Sequence, residues 1–166
     1  LDDVFFLARG YLYTGYLEER QLRWLEEDLA AVPHGRTVVV CFHIHTWSRA
    51  ARQGEWSKEE ANKGLNNRRA RYKLLEPYRA HIVSGHLHTT TNCEIGERLY
   101  EHNVAALSGA WWQGAICTDG TPAGYAGFEI DGDRVSWSYK SVGLPREVPM
   151  QLHDRGDVPA FAGRLV

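Results

Sequence analysis

The chain has 166 residues, 43% of them hydrophobic and 24% charged, with a formal net charge of -2. That balance suits a globular domain of ordinary size and lacks the basic footprint that nucleic-acid binding requires. No apolar run approaches the ~20 residues a membrane-spanning helix needs.

No signal peptide opens the chain, which starts at Leu1 directly in "LDDVFFL" and stops at "FAGRLV". This reads as part of something longer. The opening stretch is apolar enough for an interior strand. "YLEERQLRWLEEDLAAV" then places Leu22, Leu25 and Leu29 at helical spacing, with Trp24 beside them. Glu18 and Glu19 suit its first turn, and Pro33 and Gly35 end it. "RTVVVCFHIH" is a β-branched run typical of a buried strand, closed by His43. Thr46 to Trp56 is loop-like, and Ser57 to Glu60 has the pattern of a capping box. The helix that follows, in one or two pieces, runs to about Leu75 before Pro77. "HIVSG" is the next strand.

This order of strand, helix, strand, helix, strand predicts parallel strands with helical crossovers. After Thr91 the texture changes. "NCEIGERLYEHNV" predicts a hairpin turning at Gly96, and "GYAGFEIDGDRVSWSYK" a stronger one with Asp131, Gly132 and Asp133 at its turn. "SVGLPREVP" has the Gly and Pro content of a linker. Cys41, Cys93 and Cys117 form no C-x-x-C pair. They are expected to be free and mostly buried thiols, with one bridged pair as the alternative.

The histidines carry the chemistry. His43 follows "VVVCF", and His86 and His88 follow "HIVSG". Each group is expected just past the C-terminal end of a predicted buried strand, the edge where ligands bind in open α/β sheets. If the two strands are neighbours, the three imidazoles can converge. Residues two apart in an extended segment point to one side, so His86 and His88 can serve one site or two adjacent metals. Gly85 is expected to supply a tight turn close to the ion. Neutral imidazole binds zinc, iron or manganese. His45 and His102 are candidates for orienting the ligands. Trp47, Trp111 and Trp112 are candidates for a substrate mouth, against the plainer reading of core packing. His34 reads as a turn residue, His81 as structural, and His153 as part of a polar tail.

The pairing of "VVVCFHIHTW" with a later "SGHLH" resembles the C-terminal half of a calcineurin-like metallophosphoesterase. "GYLEERQLRWLEEDL" resembles that family's helix before the first of these strands. "LSGAWWQG", the segment "DGTPAGYAGFEIDGDRVSWSYKSVG" and "QLHD" resemble the C-terminal extension of a bacterial subgroup. The resemblance implies an α/β (α+β) sandwich: the C-terminal part of an α/β/β/α fold over residues 1–140, followed by β-hairpins. Residues 141–166 would then be a linker and the start of the extension.

The resemblance also implies a phosphoester hydrolase with two divalent ions, zinc, manganese or iron. His43 and His86 would ligate one ion and His88 the other. The family's Asp-x-His and Gly-Asn-His motifs do not occur in this sequence, and the chain's two Gly-Asp pairs, Gly132-Asp133 and Gly156-Asp157, follow the histidine motifs instead of preceding them, so the family's bridging aspartate and catalytic histidine have no counterpart here. An N-terminal half or a complementing chain would have to supply them, and this chain alone would be inactive. Compartment stays open, with a periplasmic or secreted location allowed by the resemblance. Two other readings stand beside this one: a non-catalytic binding or structural fragment, and a mononuclear three-histidine zinc hydrolase.

Overall fold

The computed structural model describes residues 1–7, 12–46, 64–110 and 114–147. The chain is mixed α and β. It divides into two compact units, one of residues 1–86 and 92–102, the other of residues 87–91 and 103–166.

In the first unit, β1 (Val4–Phe6) pairs antiparallel with β2 (Tyr13–Gly15) as a two-stranded sheet. Helix α1 spans Glu19–Ala30 and buries Leu25 and Leu29 one turn apart. Trp24, off that stripe, is exposed. The chain then turns through Gly35, at φ 85, into β3 (Thr37–Ile44). Helix α2 (Arg68–Leu75) buries Arg71 and Leu75, again a spacing of one turn. It leads into β4 (Arg79–Gly85), which runs parallel to β3.

Strands β5 (Thr91–Gly96) and β6 (Leu99–Asn103) complete a four-stranded sheet in the order β3-β4-β6-β5. Leu25 and Leu29 of α1 and Leu75 of α2 pack with Val40, Ala80 and Ile82 of β3 and β4 into the core. Val40 and Ile82 are in register, so they share the face that the helices cover. The expected helix starts later than its pattern suggested: residues 64–67 are not helical, Leu65 bridging to Gly15 instead, and the part before residue 64 lies outside the described residues.

Several expectations change here. β3 and β4 are parallel, but the opening strand pairs antiparallel with β2 instead. The segment between β1 and α1 is long enough to turn back as a second strand, and a short antiparallel connection is easier to make than a crossover. Phe6 is 66% exposed, so this is not an interior strand. Strand β3 is half-covered rather than buried: Val40 and Ile44 face the core while Val39, Cys41 and His43 are exposed. His43 therefore lies inside the strand, not beyond it. All three cysteines are free, but only Cys117 is buried.

The second unit is organised by β7 (Gly124–Asp131) and β8 (Arg134–Ser141), an antiparallel hairpin in the expected place. Asp131 pairs with Arg134, so Gly132 and Asp133 form the turn. Gly132 has φ 57, a left-handed value that suits glycine at such a turn. Facing pairs Phe128–Trp137 and Ile130–Val135 give the ribbon one apolar face. Ala105, Ala110, Ile116 and Cys117 are the buried apolar residues of this unit's irregular segment.

Candidate metal centre

Strands β3 and β4 run side by side to their C-terminal ends, where the register shifts between Cys41 and Ile44. That shift is a local irregularity of the kind that re-aims side chains. Asp3, at the start of β1, holds it. Its two carboxylate oxygens accept from the backbone N–H of His43 at 3.1 Å and of Ile44 at 2.9 Å. Burial pushes the Asp3 carboxyl up, opposed by those two hydrogen bonds and by Arg71.

Within the first unit, His43 and His86 meet as expected. Nε2 of His43 and Nδ1 of His86 are 3.2 Å apart, with their rings edge to face. In a tetrahedral zinc site with ~2.05 Å bonds, two ligand nitrogens are about 3.3 Å apart. The pair is therefore spaced either to share one proton or to place two lone pairs on one cation. His45 stacks on His86 with ring centroids 6.0 Å apart, and Tyr13 meets it edge-on at 5.9 Å. His45 is buried, and its Nδ1 has no hydrogen-bond partner among the described residues. Burial, and then the neighbouring His86, push its pKa down to about 4, so it is neutral at physiological pH.

His88 belongs to the second unit. Its Nδ1 lies 3.1 Å from the carbonyl of Gly109, which can only accept. Nδ1 therefore carries a proton, which leaves Nε2 as the nitrogen of His88 that can ligate a metal. The Thr118 hydroxyl donates to the His88 carbonyl at 3.4 Å, and Thr90 N–H donates to Asp119 at 2.8 Å.

The expected role of Gly85 is corrected. It does not have positive φ; His86 and His88 do, at 74 and 54. A Cβ on Gly85 would meet His43 atoms at an ordinary 3.9 Å. The segment is thus not extended, and the alternation rule that put both imidazoles on one side does not apply. The turn is made by the two histidines themselves, at a cost that non-glycine residues pay in this region.

His81 and His102 form a separate arrangement on the sheet. Their rings are parallel within 4°, and His81 also stacks on Tyr100. His102 Nδ1 is 2.7 Å from the Asn92 side-chain oxygen, and His102 Nε2 is 3.0 Å from His81 Nδ1. The amide oxygen accepts, so His102 donates from Nδ1 and accepts at Nε2 from His81. His102 is then neutral, and burial lowers the pKa of His81 as well. Burial, with His81 adding to it, lowers His102 to about 4. His102 is thus held by His81 and Asn92. His34 is an exposed residue packed edge-on against Tyr78. Trp47, Trp111, Trp112 and His153 lie outside the described residues.

Residues that sequence reasoning missed are Asp3, Thr46, Arg71, Ser84 and Glu101, all buried polar groups. Their signal was faint: an acid leading an apolar run, an arginine one turn before Leu75 on a helix stripe, and a glutamate in a short strand. Among the described residues, no group of three or more His, Cys, Asp or Glu is placed to hold a metal ion. Two convergent imidazoles fit part of one coordination sphere and leave the rest to other groups.

Residues 101–164 match the family described as the C terminal of calcineurin-like phosphoesterase. This region is similar to the C-terminal portion of calcineurin-like phosphoesterases. The mixed α/β fold agrees with that assignment. Calcineurin-like phosphoesterases are hydrolases that generally use divalent metals. No curated protein matches the chain. No helix among the described residues is long and apolar enough to cross a membrane.

Proposed function

We propose that this chain supplies histidine ligands to a metal-dependent phosphoester hydrolase. His43 and His86 would hold one divalent ion, zinc, manganese or iron, and His88 a second. The observation that carries this reading is the 3.2 Å approach of His43 Nε2 and His86 Nδ1 at the ends of adjacent parallel strands. Bound ions of this kind lower the pKa of a water and neutralise phosphate oxygens. The chain's own contribution is to hold the imidazoles in place: the Gly109 carbonyl keeps a proton on Nδ1 of His88, and Asp3 fixes the backbone of His43.

Two cations held close together need a bridging carboxylate. No Asp-x-His or Gly-Asp motif precedes the histidine motifs in this sequence, so the chain alone is proposed to be inactive. A complementing segment would complete the site. On this reading residues 1–140 are catalytic-domain material and residues 141–166 begin an extension. The lack of a three-ligand group among the described residues favours a second reading for the isolated chain, a non-catalytic binding module.

Titration calorimetry with zinc tests the proposal. Weak, reversible uptake is expected, lost in His43→Ala and in His86→Ala. An aryl phosphate should be hydrolysed only after a segment bearing Asp-x-His, Gly-Asp and Gly-Asn-His is supplied. Equal uptake by the parent chain and both variants overturns the ligand assignment. Stoichiometric zinc with hydrolysis by the chain alone would replace it with the mononuclear reading.

A further inference from the structure

Two carboxylates and a guanidinium in the first unit are almost fully enclosed: Asp3 at 1%, Glu101 at 2% and Arg71 at 0% exposure. Such groups are rarely buried without a partner. Glu101, on β6, has partners on both histidine-bearing strands. One carboxylate oxygen accepts from the Thr46 backbone N–H at 2.8 Å and from the Ser84 hydroxyl at 2.8 Å. The other accepts from the Thr46 hydroxyl at 2.5 Å. Tyr72 donates to that same hydroxyl at 2.6 Å. Thr46 lies just past the end of β3, beside His45. Ser84 lies in β4, two residues before His86. One carboxylate thus ties together the ends of the two strands whose imidazoles meet.

Arg71 offsets the charge. Its guanidinium carbon sits 3.7 Å over the Phe42 ring, and its three nitrogens have no hydrogen-bond partner among the described residues. Its interactions with Asp3 and Glu101 are therefore through space. Burial pulls its pKa down to about 10, and Asp3 and Glu101 oppose that fall. The guanidinium remains charged at neutral pH and balances carboxylates that already spend their lone pairs on backbone and hydroxyl donors.

We propose that Glu101 is a positioning residue for the His43–His86 pair, joining Thr46 to Ser84 so that the two imidazole nitrogens stay 3.2 Å apart. The proposal rests on reading His43 and His86 as metal ligands. Groups that orient ligands in this way typically contribute about 10–100-fold to metal affinity.

The test uses the 166-residue chain with cobalt(II) as the probe ion, thermal melting, and metal-free ¹⁵N imidazole spectra. Glu101→Gln retains one oxygen that can accept from both Thr46 N–H and the Ser84 hydroxyl, but loses the charge opposing Arg71. Glu101→Ala loses both. Both variants should melt below the parent. Only Glu101→Ala should weaken cobalt binding, by about 10–100-fold, and alter the paired imidazole signals. Ser84→Ala, cutting the β4 side alone, should lose part of that affinity. Unchanged cobalt affinity in folded Glu101→Ala overturns the proposal, as does equal loss in Glu101→Ala and Glu101→Gln. If Glu101→Ala does not fold, an unchanged Ser84→Ala overturns it. If His43→Ala and His86→Ala bind cobalt as the parent does, the ligand reading fails instead. The positioning role is then decided by the imidazole spectra, which need no metal.

Discussion

At His86 and His88 the backbone adopts φ 74 and φ 54, values that side chains with a Cβ occupy reluctantly. The left-handed region costs a non-glycine residue roughly 1–2 kcal/mol. Neither position is filled by glycine, although a glycine stands one residue earlier in the regular strand. Two substitutions therefore separate chemistry from backbone strain. His86→Ala and His86→Gly both remove the imidazole that meets His43. His86→Gly should nevertheless unfold at higher denaturant, being more stable than His86→Ala by about 1 kcal/mol. Urea unfolding of the two variants measures this directly, and the reverse order would mean that the turn carries no strain.

At the level of elements, the four-stranded sheet keeps its polar groups in two sets. Glu101 serves the ends of β3 and β4, while His102, the next residue, pairs with His81 on β4 and Asn92 on β5. Successive residues of a strand point to opposite faces, which separates the two sets. His102 is lowered by burial from 6.5 to about 4. The unfolded chain then binds more protons than the folded one between those values. Stability from this residue is fully present above about pH 6.5 and is lost as pH falls through about 4. Replacing it with an uncharged residue should flatten that loss. Melting temperatures of the parent chain and His102→Gln, compared from pH 7 to pH 4, are expected to converge in the acid range. Parallel curves would show that His102 does not titrate in this window.

At the scale of the whole molecule, the first unit leaves apolar groups in water. Phe6 and Tyr13 are paired across β1 and β2, and Leu7 N–H donates to the Leu12 carbonyl. Phe6, Leu7 and Leu12 are 66%, 60% and 64% exposed. A clustered apolar surface on a short two-stranded sheet invites association. Sedimentation of the chain should show concentration-dependent oligomers, and the double variant Phe6→Ser, Leu12→Ser should sediment as a monomer. An unchanged distribution would place the contact elsewhere.

The elements with strong local signals were legible without coordinates. Helix α1 has its leucine stripe, β3 its β-branched run, and the β7–β8 hairpin its alternation around Gly132. The strand-end histidines stood out because few other residue types suit that chemistry. Local pattern does not contain strand pairing, so it could not say that β1 turns back onto β2. Nor could it reveal that β3 is covered on one face only, because coverage depends on which elements pack there. Glu101 and Arg71 were invisible for the same reason. A carboxylate's partners at Thr46 and Ser84 lie 55 and 17 residues away, and only the tertiary structure brings them within hydrogen-bonding distance. The residue types of the site were set by the sequence; their approach to 3.2 Å was decided by adjacent parallel strands and the register shift between them.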